Sequence, residues 1–497
     1  MELTLALWMF AAGLSLGLPF QLYRNTTDQN VNFIGENETA FGQILAVNKG
    51  IIDQLLEGDI APNPARSAMS CTHCLWPASE NGSVLIPYEF STEYSEFETK
   101  LLRISMSQME LMSCLKFIVR GQERDYVSIE TSSGCWSVIG KTGGKQTVNL
   151  SKSGCMSTGT TQHEILHTLG FFHEQSRSDR DKYVDIMWKH IKQGSEGNFN
   201  QERTNNLDLP YDYGSVMHYP SYAFTNTPNG NTIIPKPNPN IPIGQRNGMS
   251  HLDVKKLNAL YKCNVCRTKL TQGSGTFSSD GITFGPDGRC LWWIQVGFPQ
   301  KAYLQLTIQN IASSPGCDDS YIKIYDGDTR EAKVFMDKIC GSVMVPPLIS
   351  NVGDIIVEFV SNKDPALSKF SGVFKIVTQG GTFTYDNGFF MSPSYPTGYP
   401  NDIDAVYSII APAQSKVSLE FTVFQIKYCR YTCSCTCDYV MVIDGPSTNS
   451  PSLGKFCGFK QSLILESTGN VMLVLFHSDH NLPGKGFSAK YRFVPRG

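Results

Sequence analysis

The sequence predicts a multidomain chain: an α+β unit followed by two all-β sandwiches. Three observations carry that reading. A stretch rich in histidine, Thr160–Gln175, has the spacing of a helix that stops abruptly at a glycine. After Cys266 a pattern of short alternating strands and Gly-rich turns occurs twice, at a period of about 110 residues. The 15 cysteines point to an oxidising compartment, where small β modules are stapled by disulfides. A length of 497 residues is too great for one ordinary domain. The charge is nearly balanced, 42 basic against 45 acidic residues, which gives no electrostatic reason to expect nucleic acid or an anionic membrane as partner.

Residues 1–17 form an apolar run ending in small residues, as a secretory signal does. Glu2 and the lack of Lys or Arg before that run leave a retained anchor as the alternative. No later stretch is apolar for long enough to span a bilayer, so the mature chain is read as having no transmembrane segment. Asn25, Asn37, Asn81 and Asn149 each begin an Asn-x-Ser/Thr acceptor, in keeping with a secreted glycoprotein. Residues 18–66 read as a removable pro-segment. Phe41, Ile44, Leu45, Ile51, Ile52, Leu55 and Leu56 predict one amphipathic helix ending at Leu56-Glu-Gly-Asp59, and the Pro-bearing loop to Arg66 offers a site for an activating protease. The alternative is an ordinary helix end and linker.

Residues 67–264 form the α+β unit. Strands are predicted at Val84–Phe90, Val127–Glu130 and Thr147–Leu150, and a helix at Glu96–Met112. Within this unit His163 and His167 are one helical turn apart and share a face, with Glu164 beside them. Gly170 permits the left-handed turn that ends the helix and lets His173 return from another direction. Three imidazoles leave a fourth position open, which is what separates a catalytic zinc site from a structural one. The alternative is a buried amphipathic helix with Ile165, Leu166, Leu169 and Phe172 on its core face. Downstream, Ser215-Val-Met-His-Tyr219 follows Tyr-Gly as a tight turn; its methionine can floor the metal and its tyrosine can offer a hydroxyl.

His163-Glu-x-x-His-x-x-Gly-Phe-x-His-Glu174 together with Ser215–Tyr219 resembles the astacin family of metzincin metalloproteases, over nearly the whole span from Glu57 to Cys263. The resemblance implies an astacin-like protease fold with one zinc per subunit. It implies His163, His167 and His173 as zinc ligands, Glu164 as general base, Met217 as the Met-turn, and Tyr219 as an additional ligand that stabilises the transition state. Leu56-Glu-Gly-Asp59 matches the family's Phe-x-Gly-Asp latency motif with leucine at its first place, which makes Asp59 the zinc ligand of the zymogen. Family precedent further pairs Glu174 with the new amino terminus after cleavage. It also implies disulfides Cys114–Cys263 and Cys135–Cys155, leaving Cys71 with Cys74.

The repeated units resemble CUB domains, the first at 266–378 and the second at 379–494. Tyr321–Gly327 recurs as Tyr439–Gly445, Ile355–Ser361 as Val471–His477, and Gly275-Thr-Phe277 as Gly381-Thr-Phe383. The resemblance implies Cys266–Cys290, Cys317–Cys340 and Cys435–Cys457, with Gln379 and Ala405 replacing the second unit's first pair. Cys429, Cys433 and Cys437 are surplus, and three extra cysteines cannot all pair internally. Many CUB units bind calcium. Here the first unit has Ala312, Ser320 and Asn362 at the ligand places, and the second has Asp438 and Asp479 but Lys427 where a glutamate is usual, so a Ca2+ site in the second is doubtful.

These readings converge on a secreted zinc endopeptidase made as a zymogen, stored in secretory granules or released directly. Two CUB modules without an intervening EGF-like array resemble amphibian-type hatching enzymes, which implies egg-envelope glycoproteins as protein substrate. The rivals are matrix or growth-factor processing and a CUB-mediated extracellular binding or adhesion protein.

Overall fold

The computed structural model describes residues 39–62, 74–228, 230–297, 299–362, 368–428 and 435–496. The signal run, the Arg66 junction, acceptors Asn25 and Asn37, and Cys71, Cys429 and Cys433 lie outside the described residues.

Helix α1 (Ala40–Asn48) starts at Thr39, whose hydroxyl accepts the Gly42 N–H at 2.9 Å. It does not run on to Leu56. It stops at Asn48, and a single 3-10 turn at Ile52–Gln54 follows. Tertiary hydrogen bonds override the apolar periodicity here: the buried Asn48 amide donates to Gly58 O (2.9 Å) and Cys135 O (2.7 Å) and accepts from Cys135 N (2.7 Å). Those bonds tie the helix end to the following loop and to strand β4 below.

The α+β unit is built on a five-stranded sheet. Its strands are β1 (Val84–Phe90), β2 (Leu115–Val119), β3 (Tyr126–Glu130), β4 (Cys135–Ser137) and β5 (Lys145–Leu150), in the order β2-β1-β3-β5-β4. All neighbours are parallel except β4, which runs antiparallel to β5. Helix α2 (Glu96–Met112) has a capping box, Ser95 with Glu98, and its buried face carries Leu102, Met106, Met109 and Met112. Helix α3 (Thr158–Thr168) packs against α2 and is buried from Gly159 to its end. Strands β6 (Val184–Ile186) and β7 (Ile233–Pro235) pair in a small ribbon, and α4 (His251–Leu260) closes the unit. Disulfides Cys114–Cys263 and Cys135–Cys155 tie α2's end and β4 to later chain, and Cys74 is also disulfide-bonded.

The first sandwich packs sheet β13-β12-β15-β10-β8 on sheet β14-β11-β16-β9. Its strands are β8 (Cys266–Leu270), β9 (Ser274–Ser278), β10 (Arg289–Ile294), β11 (Lys301–Asn310), β12 (Ser320–Asp326), β13 (Lys333–Ile339), β14 (Leu348–Ile349), β15 (Ile355–Ser361) and β16 (Lys369–Val377). Disulfides Cys266–Cys290 and Cys317–Cys340 are present. Its Leu291, Trp293, Tyr325 and Ile356 belong to the same apolar core as the α+β unit. Gln108 of α2 donates to Asp328 at 2.9 Å across that junction.

The second sandwich contains β17 (Gly381–Phe383), β18 (Asn387–Met391), β19 (Asp404–Ile410), β20 (Ser415–Ile426), β21 (Tyr439–Asp444), β22 (Ser452–Phe456), β23 (Gly458–Lys460), β24 (Leu463–Glu466), β25 (Val471–His477) and β26 (Gly486–Pro495). One sheet is ordered β17-β19-β25-β21-β22, the other β18-β26-β20-β23, with β24 on β20. Cys435–Cys457 is present and Cys437 is disulfide-bonded too. The duplicated strands occupy matching places, β12 beside β15 and β21 beside β25. The Gly-Thr-Phe match does not. Gly275–Phe277 lies in β9, antiparallel to β16, whereas Gly381–Phe383 lies in β17, parallel to β19; the counterpart of β17 is β8, parallel to β10. A three-residue likeness is too short to fix which edge strand it marks.

Candidate metal centre and catalytic site

Helix α3 delivers two imidazoles because it is held rigidly at both ends. Ser157 caps its start through Thr160 N, and Gly159 lets the chain of Arg246 pass so close that a Cβ there would meet Arg246 O at 2.2 Å. At the other end Gly170 takes φ +98°, and the last carbonyls are met by side chains: Trp76 Nε1 donates to Thr168 O (3.2 Å) and Tyr261 OH to Leu169 O (3.1 Å). Gln162 binds Ser105 O, Gln108 Oε1 and Met249 N, so its buried amide is fully engaged.

His163, His167 and His173 are fully buried and their rings lie 4.9–5.1 Å apart, centroid to centroid. Nδ1 of His163 lies 2.8 Å from Val216 O and Nδ1 of His167 lies 2.8 Å from Phe171 O. A carbonyl only accepts, so in both rings Nδ1 carries the proton and Nε2 presents its lone pair to the centre. Asp59 enters from the opposite side. Its Oδ2 lies 2.9 Å from His163 Nε2 and 3.3 Å from His173 Nε2, and its Oδ1 lies 3.5 Å from His167 Nε2. Burial alone would raise the Asp59 pKa, but His173, His167 and the hydrogen bond to His163 outweigh it and hold the carboxyl well below its usual range.

The donor set fits a cation. One ligand atom from each of Asp59, His163, His167 and His173 lies within 4.8 Å of every other, and Asp59 Oδ1 and His167 Nε2 are buried without a hydrogen-bond partner. Three neutral imidazoles and a carboxylate are the ligand chemistry of tetrahedral zinc. Both Glu164 oxygens are likewise buried and unpartnered, and burial, with the charge of Asp59, pushes that carboxyl well above its usual range.

The turn at Ser215–Tyr219 underlies the histidines. Asp253 of α4 pins it, accepting from Ser215 Oγ (2.6 Å) and Val216 N (2.9 Å). Met217 is buried, and Tyr219, whose ring lies 4.6 Å from the His173 ring, donates its OH to Glu57 O at 2.5 Å. Glu174 does not wait for a partner: Lys256 Nζ donates to both its oxygens (2.6 and 2.7 Å) and Arg177 Nη1 to one (3.1 Å).

The peptidase family M12A, astacin, matches residues 73–262, and the CUB domain matches 266–374 and 379–491. Embryonic protein UVS.2 of Xenopus laevis is 39% identical over 458 residues, 91% of this chain and 87% of that one. The chain belongs to the astacin family. The astacin-like metalloendopeptidase of Gallus gallus is 42% identical over 342 residues, 68% of this chain and 83% of that one. High choriolytic enzyme 1 of Oryzias latipes is 45% identical over 223 residues, 44% of this chain and 83% of that one. This astacin is therefore a zinc metalloendopeptidase carrying two CUB domains.

Three participants in this astacin's site were not picked out from the sequence. Glu57 lies 2.5 Å from His173 Nδ1, Phe41 stacks on Tyr219, and Asp253 holds the turn. Only the capping pattern Ser250-x-x-Asp253 offered a signal, and it spoke of a helix start. Asn81 is exposed and remains available as a glycan acceptor, but Asn149 does not: it is fully buried in β5, its Nδ2 donating to Ser133 O and Gly134 O and its Oδ1 accepting from Ser132. In the second CUB domain Lys427 Nζ lies 2.6 Å from Asp479 Oδ1 and 4.0 Å from Asp438 Oδ1, while Tyr399 OH donates to Asp438 Oδ2 at 2.6 Å. An ammonium already neutralises those carboxylates, so this site does not fit calcium. In the first CUB domain Ser320 merely bonds Ser361, at 3.0 Å.

Proposed function

We propose that this astacin is a secreted endopeptidase made as a latent precursor that digests egg-envelope glycoproteins. The observation that carries latency is the Asp59 carboxylate seated against all three histidines. Residues His163, His167 and His173 hold zinc, and Asp59 takes the fourth position until the segment that bears it is removed.

Bound zinc supplies Lewis acidity, polarising a carbonyl and lowering the pKa of water toward ~7. Glu164 accepts the water proton once Asp59 has gone, and delivers it to the leaving amine. Its two buried oxygens, neither engaged by another side chain, support that role, since they are free to take and return a proton. Tyr219, released from Glu57 O, donates its hydroxyl to the oxyanion of the tetrahedral intermediate. Glu174, with Lys256 and Arg177, keeps the turn after His173 in place; its carboxylate is fully engaged before any new amino terminus exists.

The egg-envelope substrate is supported by the likeness to high choriolytic enzyme 1, a protein named for dissolving the chorion, and to UVS.2, named as an embryonic protein. Incubating the activated protein with isolated egg envelopes, with and without a zinc chelator, tests it. Solubilisation blocked by the chelator supports the proposal; intact envelopes beside efficient cleavage of matrix proteins refute it.

A further inference from the structure

We infer that the recess filled by Phe41 beside the metal centre is the subsite for a substrate side chain flanking the scissile bond, and that it takes a large aromatic residue. This rests on the reading that residues 39–62 block the substrate cleft. Phe41 is fully buried, on a short helix that also buries Ala40, Ile44 and Asn48. Its ring stacks on Tyr219 at 4.0 Å and 15°, meets His173 edge-on at 4.9 Å, and lies 5.9 Å from the His163 ring. The Phe41 ring thus packs directly on side chains of the histidine cluster, so a side chain in the recess belongs to a residue close to the bond being cut.

The wall is aromatic. Phe199 and Phe224 face Tyr219 at 5.8 Å each and one another at 6.0 Å, and half-exposed Trp188 continues the row outward from Phe199 at 6.5 Å. Removing residues 39–62 leaves this row facing solvent beside the catalytic groups, and it favours a ring that stacks and meets edges as Phe41 does. Gly58 makes the double block fit: its φ of 85° is left-handed, and a Cβ there would meet Phe224 Cζ at 2.8 Å and Leu45 Cδ2 at 3.2 Å, so glycine favours the reversal that places Phe41 in the recess and Asp59 on the histidines.

The test uses the zinc-loaded, activated full-length protein, cut near Arg66, and peptides that differ only at the two residues flanking the cleaved bond. Phenylalanine at one of these positions should raise kcat/KM over alanine by about tenfold to a hundredfold. Phe224→Ala should shrink that ratio. Independently of turnover, calorimetry should show the synthetic 39–62 peptide binding the activated protein, with Phe41→Ala weakening it at least about tenfold. Equal rates for phenylalanine, alanine and aspartate at both positions, or a Phe41→Ala peptide that binds as tightly as its parent, would overturn the inference. The latency reading fails on a different result, an uncut precursor as active as the cut form on the alanine peptide.

Discussion

Glu57 Oε2 lies 2.5 Å from His173 Nδ1, the outer nitrogen of a ring whose Nε2 faces Asp59. One turn of chain therefore grips the third histidine from both sides. Glu57 (φ 48°) and Gly58 (φ 85°) are consecutive left-handed residues, and this reversal is what carries the chain from one nitrogen to the other. In addition Glu57 O accepts the Tyr219 hydroxyl. Replacing Glu57 by Ala removes the carboxylate and keeps the carbonyl, so the precursor should loosen without opening fully. Limited proteolysis should show cleavage of the 39–62 region several-fold faster than in the parent; an unchanged rate would deny Glu57 a part in latency.

Glu164 is a buried acid beside the histidines that stays in place when the 39–62 segment is gone. Glu164→Gln preserves shape while removing the proton acceptor. In the activated protein, zinc content measured by atomic absorption should stay at one per chain while peptide hydrolysis falls by about 10²–10⁴-fold. Loss of zinc would assign Glu164 to holding the metal instead.

Lys256 and Glu174 form a buried pair whose removal from one side strands the other charge. Side-chain exposure is 7% and 6%. Lys256→Met should cost about 3–5 kcal/mol, read as a lower urea midpoint of the transition that includes the α+β unit. A change below about 0.5 kcal/mol would show that Arg177 and the Asp212 N–H suffice to hold Glu174.

Lys427 acts as the resident cation of the second CUB domain. Its hydrogen bond depresses the Asp479 carboxyl from its ordinary range to about 2. A depressed carboxyl stabilises the fold above the unfolded pKa and loses that contribution as pH falls, here between about 4 and 2. Lys427→Met should remove this acid-sensitive part of the domain's stability. Lys427→Glu should create a calcium-dependent rise in its melting temperature, which the parent protein lacks. A calcium response in the parent would contradict the assignment.

Much of this architecture was legible because it is local. His163, His167 and Gly170 announce a helix and its end through spacing alone, and Glu96–Met112 and Val84–Phe90 fall where periodicity places them. What spacing does not reveal is who meets whom over long separations. Asn48 ends α1 early because of Cys135, 87 residues away, and Asn149 is buried because Gly134 and Ser133 need its amide, although both sequences read plausibly otherwise. Phe41 looks like any core position of an amphipathic helix; only its stacking on Tyr219 shows that its core is the catalytic cleft.

The most direct test is hydrolysis of a quenched peptide by two uncut precursors, the parent and Asp59→Ala, with zinc measured in the same samples. If Asp59 closes a catalytic zinc site, both proteins carry one zinc and only Asp59→Ala cleaves the peptide without prior processing. An uncut parent as active as its own processed form would contradict the account.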